Sequence, residues 1–158
     1  MKVMYLGNAK SIHVQRWANY FNIRGWDVHI LTRTPTQNGL NPGIQQHELF
    51  CIKRLEYLIE PINRIIRVRQ IRRLISEIKP DLIHAHGLPQ YGEYAYLAGF
   101  KPYVLTNWGL IDLTHIENYL HFFQKKLSGA RWRLRKKAFE NASAITALVS
   151  HAQEAISS

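Results

Sequence analysis

The amino-acid sequence predicts an α/β domain with a doubly wound, mainly parallel sheet. Short apolar runs of strand length recur along the chain, and segments with helical character separate them. A packed core is also expected, since 46% of the 158 residues are hydrophobic and only 20% are charged. Strands joined through helices need crossover connections, which keep the strands parallel and cover both faces of the sheet. We therefore predict one Rossmann-like domain over residues 1–158.

The first strand and helix are predicted by a change of pattern near Gly7. The apolar run 2–6 ends at Gly7-Asn8 and predicts a strand. Apolar side chains then return at positions i, i+3, i+4 and i+7, which is helical spacing: Val14, Trp17, Ala18 and Phe21. Gly25 is expected to end this helix, because glycine is favoured at the left-handed position after a helix. A second strand is predicted at 27–32.

A long loop and a basic helix are predicted in the middle of the chain. Residues 33–46 hold two prolines, two glycines and two asparagines, and a third strand is predicted after them at 48–52. Residues 61–79 predict an amphipathic helix with a basic outer face. Its apolar stripe comprises Ile62, Ile65, Ile66, Ile71, Leu74, Ile75 and Ile78. The basic face is assigned to Arg64, Arg67, Arg72 and Arg73.

The remaining elements continue the alternation. Strands are predicted at 81–86, 103–106 and 143–149, where short apolar runs recur. Helices are predicted at about 91–98, ended by Gly99, and at 115–141, with a break at Ser128-Gly129. Ser150 is expected to cap a last helix, since Gln153 follows in capping-box register.

The net charge of +10 is concentrated in two segments. Residues 53–79 hold eight basic side chains and residues 125–137 hold seven, which together are 15 of the 21 in the chain. Such segments suit anionic partners, whether membrane lipid, nucleic acid or phosphorylated substrates, and the alternative is a solvated helix face. No apolar run reaches the roughly 18 residues that span a bilayer, and no signal-peptide pattern is present, so a cytoplasmic location is expected. Cys51 is interpreted as a small buried side chain.

Ligands of doubly wound sheets bind at the carboxyl ends of the strands. The residues expected to face this crevice are those that follow the strands: 7–13, 32–34, 86–89, 107–112 and 150. His86 ends its strand and is expected to face a ligand, whereas His84 lies deeper and is expected to pack or hydrogen-bond in the interior. A metal site is not expected, because two histidines on one strand lack further ligands.

The first loop, GNAKSIH, suits an oxyanion, because a helix N-terminus lies beside Lys10 and the Ser11 hydroxyl. The alternative for Ser11 is a helix N-cap. Neither GxGxxG nor GxxxxGK[ST] occurs, so no dinucleotide cofactor is expected. In the loop TNWGLID, Trp108 can stack on a sugar or base, and Asp112 can accept hydrogen bonds from hydroxyls or cap the next helix.

Four segments together carry a resemblance to a known family. These are KVMYLGNAKSIHVQRWANYFNIRGWDVHILT, IKPDLIHAHG, PYVLTNWG and the closing NASAITALVSHAQEAI, in this order. They resemble the N-terminal domain of a family 4 glycosyltransferase of the GT-B fold. The resemblance implies a retaining transferase without a bound metal, which moves a sugar from a nucleotide-sugar to a glycan or lipid-linked acceptor. It also implies that this domain mostly holds the acceptor.

The resemblance implies substrate-binding roles for eight residues at the crevice. They are Asn8, Lys10, Ser11, His13, His86, Trp108, Gly109 and Asp112. Three features depart from the family pattern: the glycine pair of the first loop is missing, Trp108 replaces a histidine, and Asp112 lies one position later than usual. No catalytic residue is assigned. The family's donor-binding domain is expected to lie outside residues 1–158, on a longer chain or a separate one, so the chain alone is expected to be inactive.

A peripheral contact with the inner face of an anionic membrane is expected from a second group of residues. This group combines basic and aromatic side chains: Lys125, Lys126, Arg131, Trp132, Arg133, Arg135, Lys136 and Lys137. The alternative functions are a non-catalytic basic module that binds nucleic acid or membranes, and a regulatory domain that kept only the fold. Nucleic acid is not the expected partner, because no recognisable nucleic-acid motif is present.

Overall fold

The computed structural model describes residues 1–50, 60–107 and 129–147. The strands are β1 (Lys2–Leu6), β2 (Asp27–Thr32), β3 (Gln45–Glu48), β4 (Leu82–His86), β5 (Tyr103–Asn107) and β6 (Ala144–Ala147). The helices are α1 (Ile12–Ile23), α2 (Glu60–Ile78), α3 (Glu93–Ala98) and α4 (Gly129–Glu140), and a π-helical turn, Leu88–Gly92, leads into α3.

The described strands form one parallel sheet in the order β3-β2-β1-β4-β5-β6. The chain moves outward from β1 to β3, returns to the centre and then moves outward from β4 to β6. The direction of winding therefore changes between β1 and β4. This order confirms the predicted doubly wound fold.

Two apolar clusters cover the two faces of the sheet. Val14 and Ala18 of α1 pack with Val3, Tyr5, Val28 and Ile30 on one face. On the other face, α2 and α3 pack on alternate strand residues that include Met4, Leu6, Ile83, Ala85 and Leu105. Phe139 of α4 joins this second cluster. Because strand side chains alternate in direction, β1, β2 and β4 each contribute to both clusters.

The third strand differs from the prediction. Strand β3 covers Gln45–Glu48, whereas the apolar pattern predicted 48–52. Polar contacts hold the observed strand: His47 Nε2 lies 3.0 Å from His29 Nδ1, and Gln46 exchanges hydrogen bonds with the backbone of Thr36. Leu49 is buried beyond the strand end, and residues 51–52, including Cys51, lie outside the described residues.

Helix α2 confirms the predicted element but not its predicted faces. Ile62 and Ile65 are each 53% exposed, whereas Arg67 is fully buried. The Arg67 guanidinium donates to both Glu60 carboxylate oxygens at 3.2 Å, to the Tyr94 hydroxyl at 2.7 Å and to the Phe50 carbonyl at 3.2 Å. Arg67 therefore belongs to the interior, because polar partners surround its charge, and its assignment to a basic outer face was wrong.

A second buried ion group joins three helices. Glu93, at the start of α3, has a side chain that is only 1% exposed. Arg135 of α4 donates to one carboxylate oxygen at 2.8 Å, and Arg64 of α2 lies 3.7 Å from the other. Together with the contacts of Arg67, these pairs fix α2, α3 and α4 against one another.

Two helices end at the glycines that the sequence predicted, and the last described elements lie within the predicted ranges. Gly25 and Gly99 have φ angles of 78° and 76°, as predicted for glycines that end α1 and α3. The described part of the predicted helix 115–141 is α4, and β6 confirms the described part of the predicted strand 143–149. Residues 108–128 and Ser150 lie outside the described residues. Among the helices that the structure describes, none combines the length and apolar character needed to cross a bilayer.

Candidate functional site

The candidate site lies where β1 and β4 end side by side. After β1 the chain turns towards α1 on one face of the sheet, and after β4 it turns towards α3 on the other. The strand order reverses here, and in doubly wound sheets ligands bind at this point, so the loops 7–11 and 87–92 are the expected walls of a ligand crevice. The sequence predicted this position.

The first loop is fixed by hydrogen bonds to the end of β2. Asn8 Oδ1 accepts from the Lys10 backbone N–H at 3.0 Å and from the Thr34 hydroxyl at 2.6 Å. The Ala9 N–H donates to Thr32 Oγ1 at 3.1 Å. Asn8 thus shapes the loop through its amide oxygen, because this atom bonds both the loop's own backbone and the neighbouring loop.

Lys10 and Ser11 lie at the start of α1. Lys10 is exposed, and Ser11 occupies the N-cap position with extended backbone angles. The Ser11 hydroxyl makes no capping hydrogen bond, so its N-cap role is limited to the backbone. This helix terminus and the Lys10 ammonium both favour a negatively charged or strongly polar group.

His86 lies beneath the first loop and is only 4% exposed. A Cβ atom built on Gly7 would lie 3.3 Å from His86 Cβ and 2.9 Å from Val14 Cγ2. Only glycine leaves room at this position, because any larger residue would push α1 or the histidine away. His86 thus ends β4 beneath the first loop, and both of its ring nitrogens are buried.

His84 lies deeper and is hydrogen-bonded in the interior, as predicted. Its Nε2 is 2.6 Å from Thr106 Oγ1, which in turn bonds the Thr146 hydroxyl. The His84 ring lies 4.3 Å from the His86 ring and 5.3 Å from the Tyr5 ring, measured between centroids. Burial lowers the pKa of His84 to about 4. Burial and the neighbouring imidazoles of His84 and His13 lower the pKa of His86.

The structure adds Arg33 and Gln90 to the candidate site. Arg33 follows β2, and its Nη1 donates to Gln90 Oε1 at 3.4 Å. Gln90 lies in the π-helical turn with a φ of 73°, a left-handed conformation that is uncommon for residues other than glycine. The sequence placed residues 32–34 at the crevice, but it carried no signal for a side-chain contact across β1.

Three of the expected binding residues lie outside the described residues: Trp108, Gly109 and Asp112. Their place in the site stays a prediction. His13 is half-buried on the first turn of α1, and its imidazole contributes to the lowered pKa of His86. The described ranges contain no group of three or more histidine, cysteine or carboxylate side chains suited to a metal ion.

The basic segment is only partly described. Arg131 and Trp132 lie on α4, whereas Lys125 and Lys126 lie outside the described residues. Arg133, Lys136 and Lys137 are exposed on α4. The Arg135 side chain is only 12% exposed and is paired with Glu93, so it faces the protein interior and not a membrane. Its expected membrane role is therefore corrected.

Comparison with known families decides the classification. The profile of the family described as glycosyl transferase 4-like matches residues 2–149, which is nearly the whole sequence. The chain belongs to the glycosyl transferase 4-like family. This confirms the resemblance seen in the sequence. A search of the curated proteins finds no significant match.

Solved structures share the fold of this glycosyl transferase 4-like domain at low sequence identity. A sucrose-phosphate synthase from Thermosynechococcus elongatus aligns with a TM-score of 0.66 and 16% identity, over 92% of this chain and 41% of that one. A putative UDP-N-acetylglucosamine 2-epimerase from Listeria monocytogenes aligns with a TM-score of 0.63 and 15% identity, over 98% and 41%. A lipopolysaccharide outer core galactosyltransferase aligns with a TM-score of 0.58 and 14% identity, over 99% and 42%.

These alignments show the fold of the glycosyl transferase 4-like domain and its relative size. The chain spans about two fifths of the length of each of these three structures. Transferases and epimerases both occur among them, so the fold alone does not separate the two classes. The family match favours a transferase.

Proposed function

We propose that the chain is the acceptor-side domain of a retaining glycosyltransferase that uses a nucleotide-sugar donor. The observation that carries the proposal is the reversal of strand order between β1 and β4, where doubly wound sheets bind ligands, in a chain of the glycosyl transferase 4-like family. Its walls offer groups suited to sugars and phosphates: Asn8, Lys10, Ser11, His13 and His86. Trp108, Gly109 and Asp112 are proposed to complete it. No metal or other cofactor is part of the proposal.

Each described group has a chemical role within this proposal. The α1 N-terminus and the exposed Lys10 beside it can stabilise negative charge, since a helix N-terminus carries backbone N–H groups without helical partners and Lys10 carries an ammonium. Ser11 and His13 offer hydrogen bonds to hydroxyl groups. The buried His86 ring packs behind the first loop and supports its position. Transfer itself belongs to the whole enzyme, because stabilisation of the leaving nucleotide diphosphate requires groups on both sides of a cleft.

Ligand titrations followed by amide NMR shifts test the proposal. Simple methyl glycosides are expected to shift the backbone signals of residues 7–13 and 86–92, whereas UDP, GDP and ADP are expected to shift them little. Lys10→Gln should weaken glycoside binding by about three- to tenfold, because a charged hydrogen-bond donor is replaced by a weaker neutral one. Lys79→Gln is the matched control, since Lys79 is exposed near the start of β4. Tight nucleotide-sugar binding by this chain, or no shifts at the crevice, would contradict the proposal.

Membrane contact is proposed for the outer face of α4. The exposed side chains that support it are Arg133, Lys136 and Lys137. The triple variant R133E/K136E/K137E is expected to lose at least tenfold in binding to vesicles that contain phosphatidylserine, because each basic residue near such a surface contributes about 1 kcal/mol. The control R69E/R73E/K79E changes the net charge equally at exposed positions elsewhere. Equal binding of the wild type to neutral and anionic vesicles would remove the proposal.

A further inference from the structure

The Gln15 side chain joins two loops next to the candidate site. Gln15 lies in the first turn of α1 and is half-buried. Its amide nitrogen, Nε2, donates one hydrogen bond to the Ala9 carbonyl at 2.9 Å and another to the Asn38 carbonyl at 3.2 Å. An amide nitrogen has two N–H donors, so each carbonyl takes one of them. Because Ala9 belongs to the first loop and Asn38 to the loop 33–44, a single side chain connects the two loops.

The loop 33–44 is itself fixed to α1. One helical turn further along α1, Asn19 donates to the Gly39 carbonyl at 2.8 Å and accepts from the Asn41 N–H at 2.8 Å. The apolar side chains of the loop that join the α1 cluster are Leu40 and Ile44. Polar and apolar contacts therefore make this loop part of the folded domain, and it gives the bridging amide a firm anchor.

We propose that Gln15 is a positioning residue of the acceptor site. By tying the first loop to the loop 33–44, it holds residues 7–11 in their binding shape before the acceptor arrives. The inference rests on the proposed function, because it names a residue that prepares the proposed acceptor site and does not itself contact the acceptor.

The first argument is that the Ala9 backbone is held from both sides. Its N–H donates to Thr32 Oγ1 at 3.1 Å, and its carbonyl accepts from Gln15. The Ala9 carbonyl belongs to the peptide group that leads into Lys10, so the Gln15 contact fixes the backbone just before Lys10 and Ser11. A loop that is already ordered loses less conformational entropy when a ligand binds. Loss of the Gln15 contact should therefore weaken binding even though Gln15 does not touch the ligand.

The second argument is that the loop 33–44 is shaped to receive the amide. Gly39 has a φ of 83°, a left-handed conformation that favours glycine. A Cβ atom built on Gly39 would overlap Gln15 Oε1. Alanine at this position would therefore displace the amide. The contact between the two loops thus depends on Gln15 on one side and on Gly39 on the other.

Amide NMR spectra of the full 158-residue chain without ligand test the contact. Gln15→Met keeps the length of the side chain but removes both donors. It is expected to shift the signals of residues 8–11 and 37–41, with the largest changes at the Ala9 carbonyl carbon and the Lys10 amide. Asn19→Leu is the matched variant, because it releases the loop 33–44 and leaves the Gln15 contact with Ala9 in place. It is expected to shift residues 39–41 alone.

Methyl glycoside titrations of the same two variants test the effect on binding. Gln15→Met is expected to weaken binding by about three- to tenfold, which corresponds to the loss of one hydrogen bond that orders the loop. Asn19→Leu is expected to leave the affinity unchanged, because the first loop keeps its anchor. A merely structural role for Gln15 predicts equal effects of the two variants, since each one releases the loop 33–44 from α1.

A change in the loop 33–44 provides a test from the other side. Gly39→Ala is expected to shift the signals of residues 8–11 by displacing the Gln15 amide. Gly43→Ala is the matched control, since its Cβ atom would meet Asn22 Nδ2 at 3.2 Å, about two helical turns from Gln15. It is expected to leave residues 8–11 unchanged. If Gly39→Ala does not fold, Gln15→Met decides the question, because it adds no backbone strain.

The outcomes separate this inference from the proposed function. Unchanged signals of residues 8–11 in a folded Gln15→Met chain would overturn the positioning role, even if glycosides bind. Shifted signals with the affinity of the wild type would also overturn it, because the first loop would then not need its anchor. If the wild type binds no methyl glycoside, the proposed function fails and the role of Gln15 in acceptor binding fails with it. The spectra without ligand would still show whether Gln15 holds the first loop.

Discussion

Replacing Arg67 with methionine is expected to lower the free energy of unfolding by about 3–5 kcal/mol, the usual cost of breaking a buried ion pair from one side. The Arg67 guanidinium is fully buried and donates to Glu60, Tyr94 and the Phe50 carbonyl. Methionine fills a similar volume but cannot donate. The Glu60 carboxylate and the Tyr94 hydroxyl would therefore lose their shared partner, and a charge would remain without compensation.

Urea unfolding followed by circular dichroism measures this change, with Arg73→Met as the control. Arg73 lies on the same helix, but its side chain is 78% exposed and its partner Glu77 is also exposed. Its replacement is expected to leave the unfolding midpoint unchanged, because exposed ion pairs contribute little. Equal effects of the two variants would show that the buried contacts of Arg67 do not stabilise the fold.

Replacing Glu93 with glutamine is expected to lower the free energy of unfolding by about 3 kcal/mol. The Glu93 carboxylate is the shared partner of Arg64 and Arg135, and its side chain is only 1% exposed. Glutamine keeps the shape and one acceptor oxygen, but it removes the negative charge between two guanidinium groups. The two arginines would then repel each other, and the contact between α2, α3 and α4 would weaken.

The matched control is Glu140→Gln on α4, where the carboxylate is 53% exposed and pairs with Lys136 on the same helix. It should leave stability unchanged. Hydrogen exchange adds a local measurement: Glu93→Gln is expected to speed exchange in α4 more than in α1, which lies on the other face of the sheet. Uniform acceleration in both helices would mean that Glu93 does not act through the α4 contact.

The central strands could be predicted from the sequence because burial on both faces makes them continuous apolar runs. Strands β1, β2 and β4 follow this rule, and the structure has them where the sequence predicted them. Strand β3 does not follow it, since it lies at the sheet edge and is held by polar contacts of Gln46 and His47. The apolar pattern therefore predicted the strand at residues 48–52, which follow β3 and are more apolar.

The side-chain contacts of α2 and of the site could not be predicted, because they depend on partners distant in sequence. Arg67 is buried through Tyr94, which lies 27 positions later, and Arg33 meets Gln90 across 57 positions. A helical pattern assigns arginines outward and isoleucines inward, so it also missed the exposure of Ile62. His84 was predicted correctly, because it lies two residues before the end of its strand and therefore deeper than His86.

The hydrogen bonds that join the first loop to Thr32 and Thr34 have a consequence for how the substrate preference of this site can change in evolution. They make the ends of β1 and β2 a single unit, since Asn8 and Ala9 cannot shift without releasing both threonines. A chain that evolves to accept a bulkier partner here must alter both loops together. Changes in substrate preference are therefore expected to require paired substitutions about 25 positions apart. A single substitution in either loop is expected to weaken substrate binding without changing which substrate is preferred.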